Sequence, residues 1–346
     1  MKVLPVDEAA VSAAENFQSA EVWDKVSGKT VYGIDLRLPG MLAGKILRSP
    51  HAHARIKSID ITGALKLPGV RAVLTGADMK QKPYGIVVKD ELPLAVDTVR
   101  YIGDEVAAVA AVDEETARRA VEAIRVDYEP LAAVLDPEEA LQPGAPQLHG
   151  DFPGNLAWER LLERGDVAKG FAEADVVVEE TFTTRAINHA YLEPTSCIAS
   201  VDSYRGLTLY TALQSPHIVR NLLAETLDLP PSRVRIVGPA MGGGFGGRVF
   251  GNLKVYLLSA LLAMHAGAPV KIRLTREEEF IAGRPMVPVV FKVKMGVRRD
   301  GTITARESDI LVDNGAYSAQ GPWVAKTISE RNDSLYRIPN IRTRAR

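Results

Sequence analysis

The sequence predicts an α+β fold built as two successive units, and three observations carry that prediction. From Tyr32 to Val134, short strand-like runs alternate with turns around one amphipathic helix. A stretch dense in Pro and Gly, LQPGAPQLHGDFPGN (Leu141 to Asn155), then interrupts all apolar periodicity. Beyond it, strands and longer helices gather around the glycine-rich loop in RIVGPAMGGGFGGRVFGN, Arg235 to Asn252. The expected organisation is therefore residues 1–140, a linker at 141–155, and residues 156–346.

In the first unit the strands are expected at Met41 to Arg48, Arg55 to Ile61, Val70 to Thr75 and Val106 to Val112. Asp113 is placed to cap a helix whose apolar face is Ala117, Ala120, Val121 and Ile124. In the second unit Val176 to Thr184, Ser196 to Val201 and Leu207 to Thr211 read as strands. Ser215-Pro216 opens a helix, with Pro at the first helical position, where its missing N–H is harmless. Ile218, Val219, Leu222, Leu223 and Leu227 form its expected buried stripe. Arg233 to Val237 reads as a strand, Leu253 to Ala266 as an apolar helix and Val270 to Leu274 as a strand. TREEEF (Thr275 to Phe280) reads as a helix start with Thr as cap and a solvated acidic face.

Composition narrows the function classes. The 346 residues are 25% charged and 46% apolar, as in ordinary globular proteins, and suffice for a large core. A formal net charge of −1 speaks against nucleic acid as the main partner. Cys197 is the only cysteine, so this chain alone can form no internal disulfide and hold no iron–sulfur cluster. The N-terminal MKVLPVDEAAVSAAENF lacks a signal-peptide core, and no uncharged apolar run reaches spanning length. The expectation is a cytoplasmic protein without a membrane span.

Five of the six residues Gly242 to Gly247 are glycine, which is costly to order and needs a reason. The phosphate-binding P-loop fails, because Arg248 and Val249 stand where Lys and Ser or Thr belong. Gly242, Gly244 and Gly247 satisfy the dinucleotide fingerprint in a strand, turn, helix, strand order. Against an NAD-dependent dehydrogenase stand Pro239 in the strand exit, Gly251 before the helix, and no acid directly at the end of Val270 to Leu274. Consecutive glycines before a helix also expose N–H groups to any anionic or oxo ligand, or serve as a hinge or packing turn.

Other candidates are less specific. His51 and His53 share one strand face but have no acidic or cysteine neighbours to complete a metal shell, so structural roles are expected. His189 with Glu193 reads as an acid/base pair or as a hydrogen-bond anchor between strand and loop. Gln214, between a strand end and a helix start, either faces a ligand or ties the turn.

The glycine loop does not stand alone. RSPHAHARIKSIDIT (Arg48 to Thr62), LPGVRAVLTGADM (Leu67 to Met79), VRYIGDEVAAVAA (Val99 to Ala111) and VDYEPLAAV (Val126 to Val134) precede it. So do HAYLEP (His189 to Pro194) and ALQSPHIVRNLLAETLDLP (Ala212 to Pro230); VRIVGPAMGGGFGGR (Val234 to Arg248) holds it and YRIPN (Tyr336 to Asn340) follows. This ordered series, spanning the chain from about Gly33, strongly resembles the molybdenum hydroxylases of the xanthine dehydrogenase and aldehyde oxidase family. The resemblance implies an a/b hammerhead domain followed by the first half of a molybdopterin-binding domain.

It also implies roles. Phe245 would offer its backbone N–H to the apical molybdenum ligand, and Gln214 would approach the metal's oxygen ligand. Gly243, Gly244 and Gly246 would let the backbone approach the cofactor, while the pterin holds the metal. The implied chemistry is hydroxylation of an electron-poor carbon with oxygen from water, aided by a glutamate base. In complete family members that glutamate and an Arg-Gly motif lie beyond the stretch matched here. A second chain carrying the C-terminal half is therefore expected, in a split subunit resembling that of nicotinate dehydrogenase, with iron–sulfur and FAD subunits as further partners. A non-catalytic remnant or assembly chain is the other reading. The pterin is expected in its cytosine dinucleotide form. Xanthine-type members carry a Glu four residues after the loop Phe and an Arg nine residues before the Tyr of Y-x-I-P-N. Val249 and Thr327 occupy those positions, so the resemblance implies a less polar pocket for an aldehyde or aromatic N-heterocycle.

Overall fold

The computed structural model describes residues 21–346 other than 203, 205, 319 and 333. The N-terminal stretch considered above as a leader lies outside them. Among the described residues, β1 (Leu42–Arg48), β2 (Ala54–Asp60), β3 (Val70–Thr75), β4 (Thr98–Val99), β5 (Glu105–Ala111) and β6 (Arg125–Pro130) come first. They are followed by β7 (Arg160–Arg164), β8 (Val176–Thr183), β9 (Ser196–Val201), β10 (Leu207–Tyr210) and β11 (Val234–Val237). The last are β12 (Val270–Arg273), β13 (Val289–Val297), β14 (Ile303–Val312) and β15 (Asn340–Ala345). The helices used below are α1 (Glu114–Ala123), α2 (Pro216–Thr226), α3 (Leu253–Ala266), α4 (Arg276–Ala282) and α5 (Gly321–Arg331).

A seven-stranded sheet of order β11-β10-β9-β12-β1-β5-β3 forms the centre, so strands from both sides of the 141–155 stretch share one sheet. The join is β1 on β12, parallel, with Leu42 opposite Val270. β5 (EVAAVAA) is buried at every residue, because both sheet faces are covered. Ala108 and Ala110 belong to the core under α3, while Ala107 and Val109 belong to the core under α1 with Ala120 and Ile124. Helix α3 is apolar nearly all round and buried accordingly, with Asn252 capping its start and Gly267 at φ 64° ending it. A three-stranded sheet β4-β2-β6 stands beside this core, and a five-stranded sheet β7-β15-β14-β13-β8 carries α5.

Most expected elements occur within one or two residues, and Asp113 and Thr275 cap their helices as read. Two expectations need correcting. Ile218 of the α2 stripe is exposed, and the buried positions are Val219, Leu223 and Ala224. The acidic face of α4 is not wholly solvated, because Glu279 is buried and accepts from the Thr195 N–H and, at 3.2 Å, from the Tyr191 hydroxyl. The dinucleotide reading also fails here. A Rossmann unit needs the strands flanking its helix side by side, whereas β10 and β9 lie between β11 and β12. Among the described residues, no helix is long and apolar enough to cross a membrane.

Candidate cofactor site at the glycine loop

Sheet topology gathers the site. β10 and β11 run parallel and side by side, so Gln214 and the glycine loop leave the sheet at the same carboxyl edge. β9 is antiparallel to β10, which brings the segment before Ser196, including His189 to Glu193, to that edge as well. β12 is antiparallel to β9 and delivers α4 there, so Glu279 reaches Thr195. Four segments scattered over ninety or so positions in sequence thus meet because of strand direction alone.

The loop is held by its ends and left open in the middle. The Gly242 N–H donates to Glu193 Oε2 at 2.8 Å, the Gly246 N–H to Gln214 Oε1 at 3.1 Å, and the Gly247 N–H to the Gly244 carbonyl at 2.7 Å. The N–H groups of Gly243, Gly244 and Phe245 meet no acceptor among the described residues. Phe245 sits at φ 47°, a left-handed conformation costly for a side-chain-bearing residue, and is 74% exposed. Gly243 and Gly246 also have positive φ. A Cβ at Gly244 would stand 2.9 Å from Gln214 Oε1, so a side chain there would push the Gln214 amide from its place.

Gln214 is therefore brought to the loop, and the Gly246 bond fixes its amide. With Oε1 committed to Gly246, Nε2 is the free donor. The backbone N–H of Gln214 donates to the Arg248 carbonyl at 2.8 Å, tying the turn as well. Val249 follows the loop, and Phe250 beside it meets Trp323 of α5 edge-on at 5.7 Å. Thr327, one turn further along α5, donates its hydroxyl to the Trp323 carbonyl at 2.9 Å.

Three unpaired backbone donors and one amide donor suit an anionic or oxo-bearing group, and Gly244 leaves the space that a Cβ would fill. They do not constitute a set of metal ligands, and among the described residues no three His, Cys, Asp or Glu side chains converge. Cys197 is buried, which pushes its thiol up to about 12. The donor set thus fits a metal held by an organic cofactor. Two cavities of about 340 and 350 Å³ open elsewhere, one against Arg100, His149 and Trp158, the other against Tyr101, Lys254 and Tyr317.

The remaining candidates take structural places. His51 meets Tyr128 edge-on at 4.9 Å, and His53 Nδ1 lies 2.7 Å from the Ala132 carbonyl oxygen. Glu193 is directed at Gly242, Arg248 and Ile34, while His189 stacks on Tyr191 at 6.5 Å, so the two form no acid/base pair. Sequence reasoning missed Arg248 as anything but a failed P-loop residue, and missed Lys254 and Glu279 as buried ions.

Comparison with known proteins identifies the family. The sequence model of the molybdopterin cofactor-binding domain matches residues 148–346, and that of the aldehyde oxidase and xanthine dehydrogenase a/b hammerhead domain matches 27–132. The chain is 41% identical over 320 residues to a probable xanthine dehydrogenase subunit of Bacillus subtilis (strain 168), covering 92% of this chain and 42% of that protein. It is 36% identical over 324 residues to the nicotinate dehydrogenase large molybdopterin subunit of Eubacterium barkeri, covering 93% of this chain and 75% of that one. Quinoline 2-oxidoreductase from Pseudomonas putida 86 superposes with a TM-score of 0.87 at 30% identity, over 95% of this chain and 43% of its own. Aldehyde oxidoreductase from Desulfovibrio gigas does so with a TM-score of 0.86 at 30% identity, over 94% and 37%. The chain thus spans less than half of most of these relatives. With both sequence models matched in order and the loop built as described, it belongs to the aldehyde oxidase and xanthine dehydrogenase family, as a hammerhead domain followed by a molybdopterin cofactor-binding domain.

Proposed function

We propose that the chain is the N-terminal half of the molybdopterin-binding part of a molybdenum hydroxylase, acting on an aromatic N-heterocycle or an aldehyde. The single observation that carries this reading is the row of unpaired N–H groups at Gly243 to Phe245 beside the oriented amide of Gln214. The cofactor, when bound, supplies the oxygen-transfer and two-electron chemistry. This chain's part would be to seat it: Gly243, Gly244 and Gly246 would let the backbone approach, and the Phe245 N–H and Gln214 Nε2 would be the donors available to it. Such donors lower the energy of negative charge that develops on oxygen. The pterin is read as the cytosine dinucleotide form, and the enzyme as cytoplasmic.

A general base is expected from outside this stretch, on a second chain carrying the C-terminal half, with iron–sulfur and FAD subunits taking the electrons. The nicotinate dehydrogenase large molybdopterin subunit, of which the match covers 75%, is consistent with such a division. Val249 and Thr327 support a weakly polar pocket. A purine there would leave exocyclic groups unpaired, at ~1–3 kcal/mol each. The relative that acts on nicotinate and the solved quinoline 2-oxidoreductase are consistent with a heterocycle.

Elemental analysis of the purified enzyme tests the reading directly, since an active preparation without molybdenum refutes it. Gln214→Glu retains the acceptor for Gly246 and removes the amide donor. It should lower kcat on the order of 10²-fold with molybdenum content unchanged. Unchanged turnover would leave Gln214 only tying its turn. Steady-state kcat/KM should favour a simple N-heterocycle or aromatic aldehyde over xanthine, and a preference for xanthine would overturn the pocket reading.

A further inference from the structure

Behind the glycine loop lies an ion pair with almost no solvent access. The side chains of Arg248 and Glu193 are 3% and 4% exposed, and Arg248 Nη1 donates to Glu193 Oε2 at 3.1 Å. The same Oε2 accepts the Gly242 N–H at 2.8 Å, and Arg248 Nη2 donates to the Glu193 carbonyl. The Glu193 N–H in turn donates to the Gly242 carbonyl at 3.2 Å. One residue thereby holds both the first and the last residue of the loop. Two further contacts immobilise the pair. The Arg248 guanidinium lies 4.4 Å from the Tyr191 ring centroid, and Glu193 Oε1 accepts the Ile34 N–H at 3.3 Å.

We propose that Glu193 and Arg248 are a positioning pair that closes the loop from behind and so turns the N–H groups of Gly243, Gly244 and Phe245 outward. The geometry requires this closure. Phe245 has φ 47°, a backbone that a side-chain-bearing residue in a free loop would leave for ordinary conformations. Gly242 approaches Glu193 so closely that a Cβ would stand 2.5 Å from the Glu193 Cβ, so the clamp works through backbone contact. Arg248 also passes the constraint on, because its carbonyl accepts the Gln214 N–H at 2.8 Å. The pair therefore sets the row of backbone donors and the side-chain donor together. Glu193 serves here as a fixed acceptor and carries no proton in the reaction. The assignment rests on the functional reading above only for what the donors face.

Glu193→Gln keeps the shape and removes the charge: its one amide oxygen can meet Gly242 and Arg248 only as a neutral acceptor, and its NH2 then faces the Ile34 N–H. Arg248→Lys keeps the charge and loses the planar fork that reaches two acceptors. If the first variant does not fold, the second carries the test. Hydrogen exchange followed by mass spectrometry on the full chain should show the hydrogen-bonded amides of the 242–248 stretch, Gly242, Gly246 and Gly247, exchanging about tenfold faster or more, with α3 and the central sheet unchanged. The molybdenum content of the same preparations should fall. Exchange in 242–248 equal to wild type overturns the proposal. So does a rise spread evenly over α3 and the sheet, which a purely structural pair would give. A wild-type protein free of molybdenum would refute the functional reading and leave the exchange result to decide the clamp.

Discussion

Between Gly242 and Arg248 the protein presents backbone, whereas two residues beyond Asn252 it buries charge. In the loop, three N–H groups stay unpaired and Phe245 is 74% exposed. Around Lys254, by contrast, side chains answer one another. Lys254 Nζ lies 2.9 Å from Asp104 and 2.6 Å from Glu105, and Arg48 adds 2.6 Å to Glu105. The hydroxyls of Tyr101 and Tyr317 donate to Glu105 and Asp104 at 3.0 and 2.9 Å. Burial alone would raise the Glu105 carboxyl, but Lys254 and Arg48 outweigh it and hold the group below its ordinary range. Burial alone would lower Lys254, and Asp104 and Glu105 outweigh that, lifting it well above the ordinary value. One region keeps donors available and the other commits them. On the proposed reading the difference separates a surface that receives a ligand from a joint that holds, since the joint links residues of the hammerhead segment to the first turn of α3.

The joint should therefore weigh heavily on stability, and the open donors of the loop should not. Lys254→Met leaves Asp104 and Glu105 buried without their cation, a loss of ~3–5 kcal/mol. Urea unfolding at neutral pH should show it as a large fall in midpoint. A shift within experimental scatter would mean that Arg48 and the two tyrosines suffice for both carboxylates.

How much of this was readable in the sequence follows from the range of each interaction. Local signals were legible: the capping residues Asp113 and Thr275, Pro216 at its helix start, and the apolar α3. The ordered motifs also brought Gln214 and the loop together, and they do meet, although twenty-six residues lie between Gln214 and Met241. What stayed hidden depends on partners set by strand direction. Glu193 could be weighed only against His189, four residues away, because nothing local says that Gly242 and Arg248 return to it. Lys254 gave no sign of its role within an apolar helix, since its partners lie 150 positions earlier. Periodicity also cannot anticipate that Glu279 turns inward to a backbone N–H.

Lys271 sharpens the comparison, because it is a buried lysine without a carboxylate partner at hydrogen-bond distance among the described residues. Its Nζ donates to the carbonyls of Ile34 and Leu36 at 2.6 and 2.9 Å, holding the segment that docks on Glu193. Burial, with Arg37 and Arg273 adding repulsion, pulls it down to about 8 from an ordinary 10.5. Below pH 8 both folded and unfolded chains carry the proton, and the folded state bears the cost of the buried charge. Between about 8 and 10.5 the unfolded chain binds more protons, so the stability due to Lys271 rises with pH. The neutral amine still has two hydrogens for its two carbonyls, so the hydrogen bonds survive that titration. Burying Lys254 between two carboxylates raises its affinity for the proton, and burying Lys271 between two carbonyls lowers it. Wild type should accordingly gain ~1 kcal/mol relative to Lys271→Met between pH 7 and pH 9, read from paired urea curves at each pH. The subtraction removes Cys197 and the buried tyrosines, whose raised values act in the opposite direction at high pH. A difference that stays flat, or that moves towards the variant, would mean that Lys271 keeps its proton through this range and that two carbonyls hold a buried cation as well as two carboxylates do.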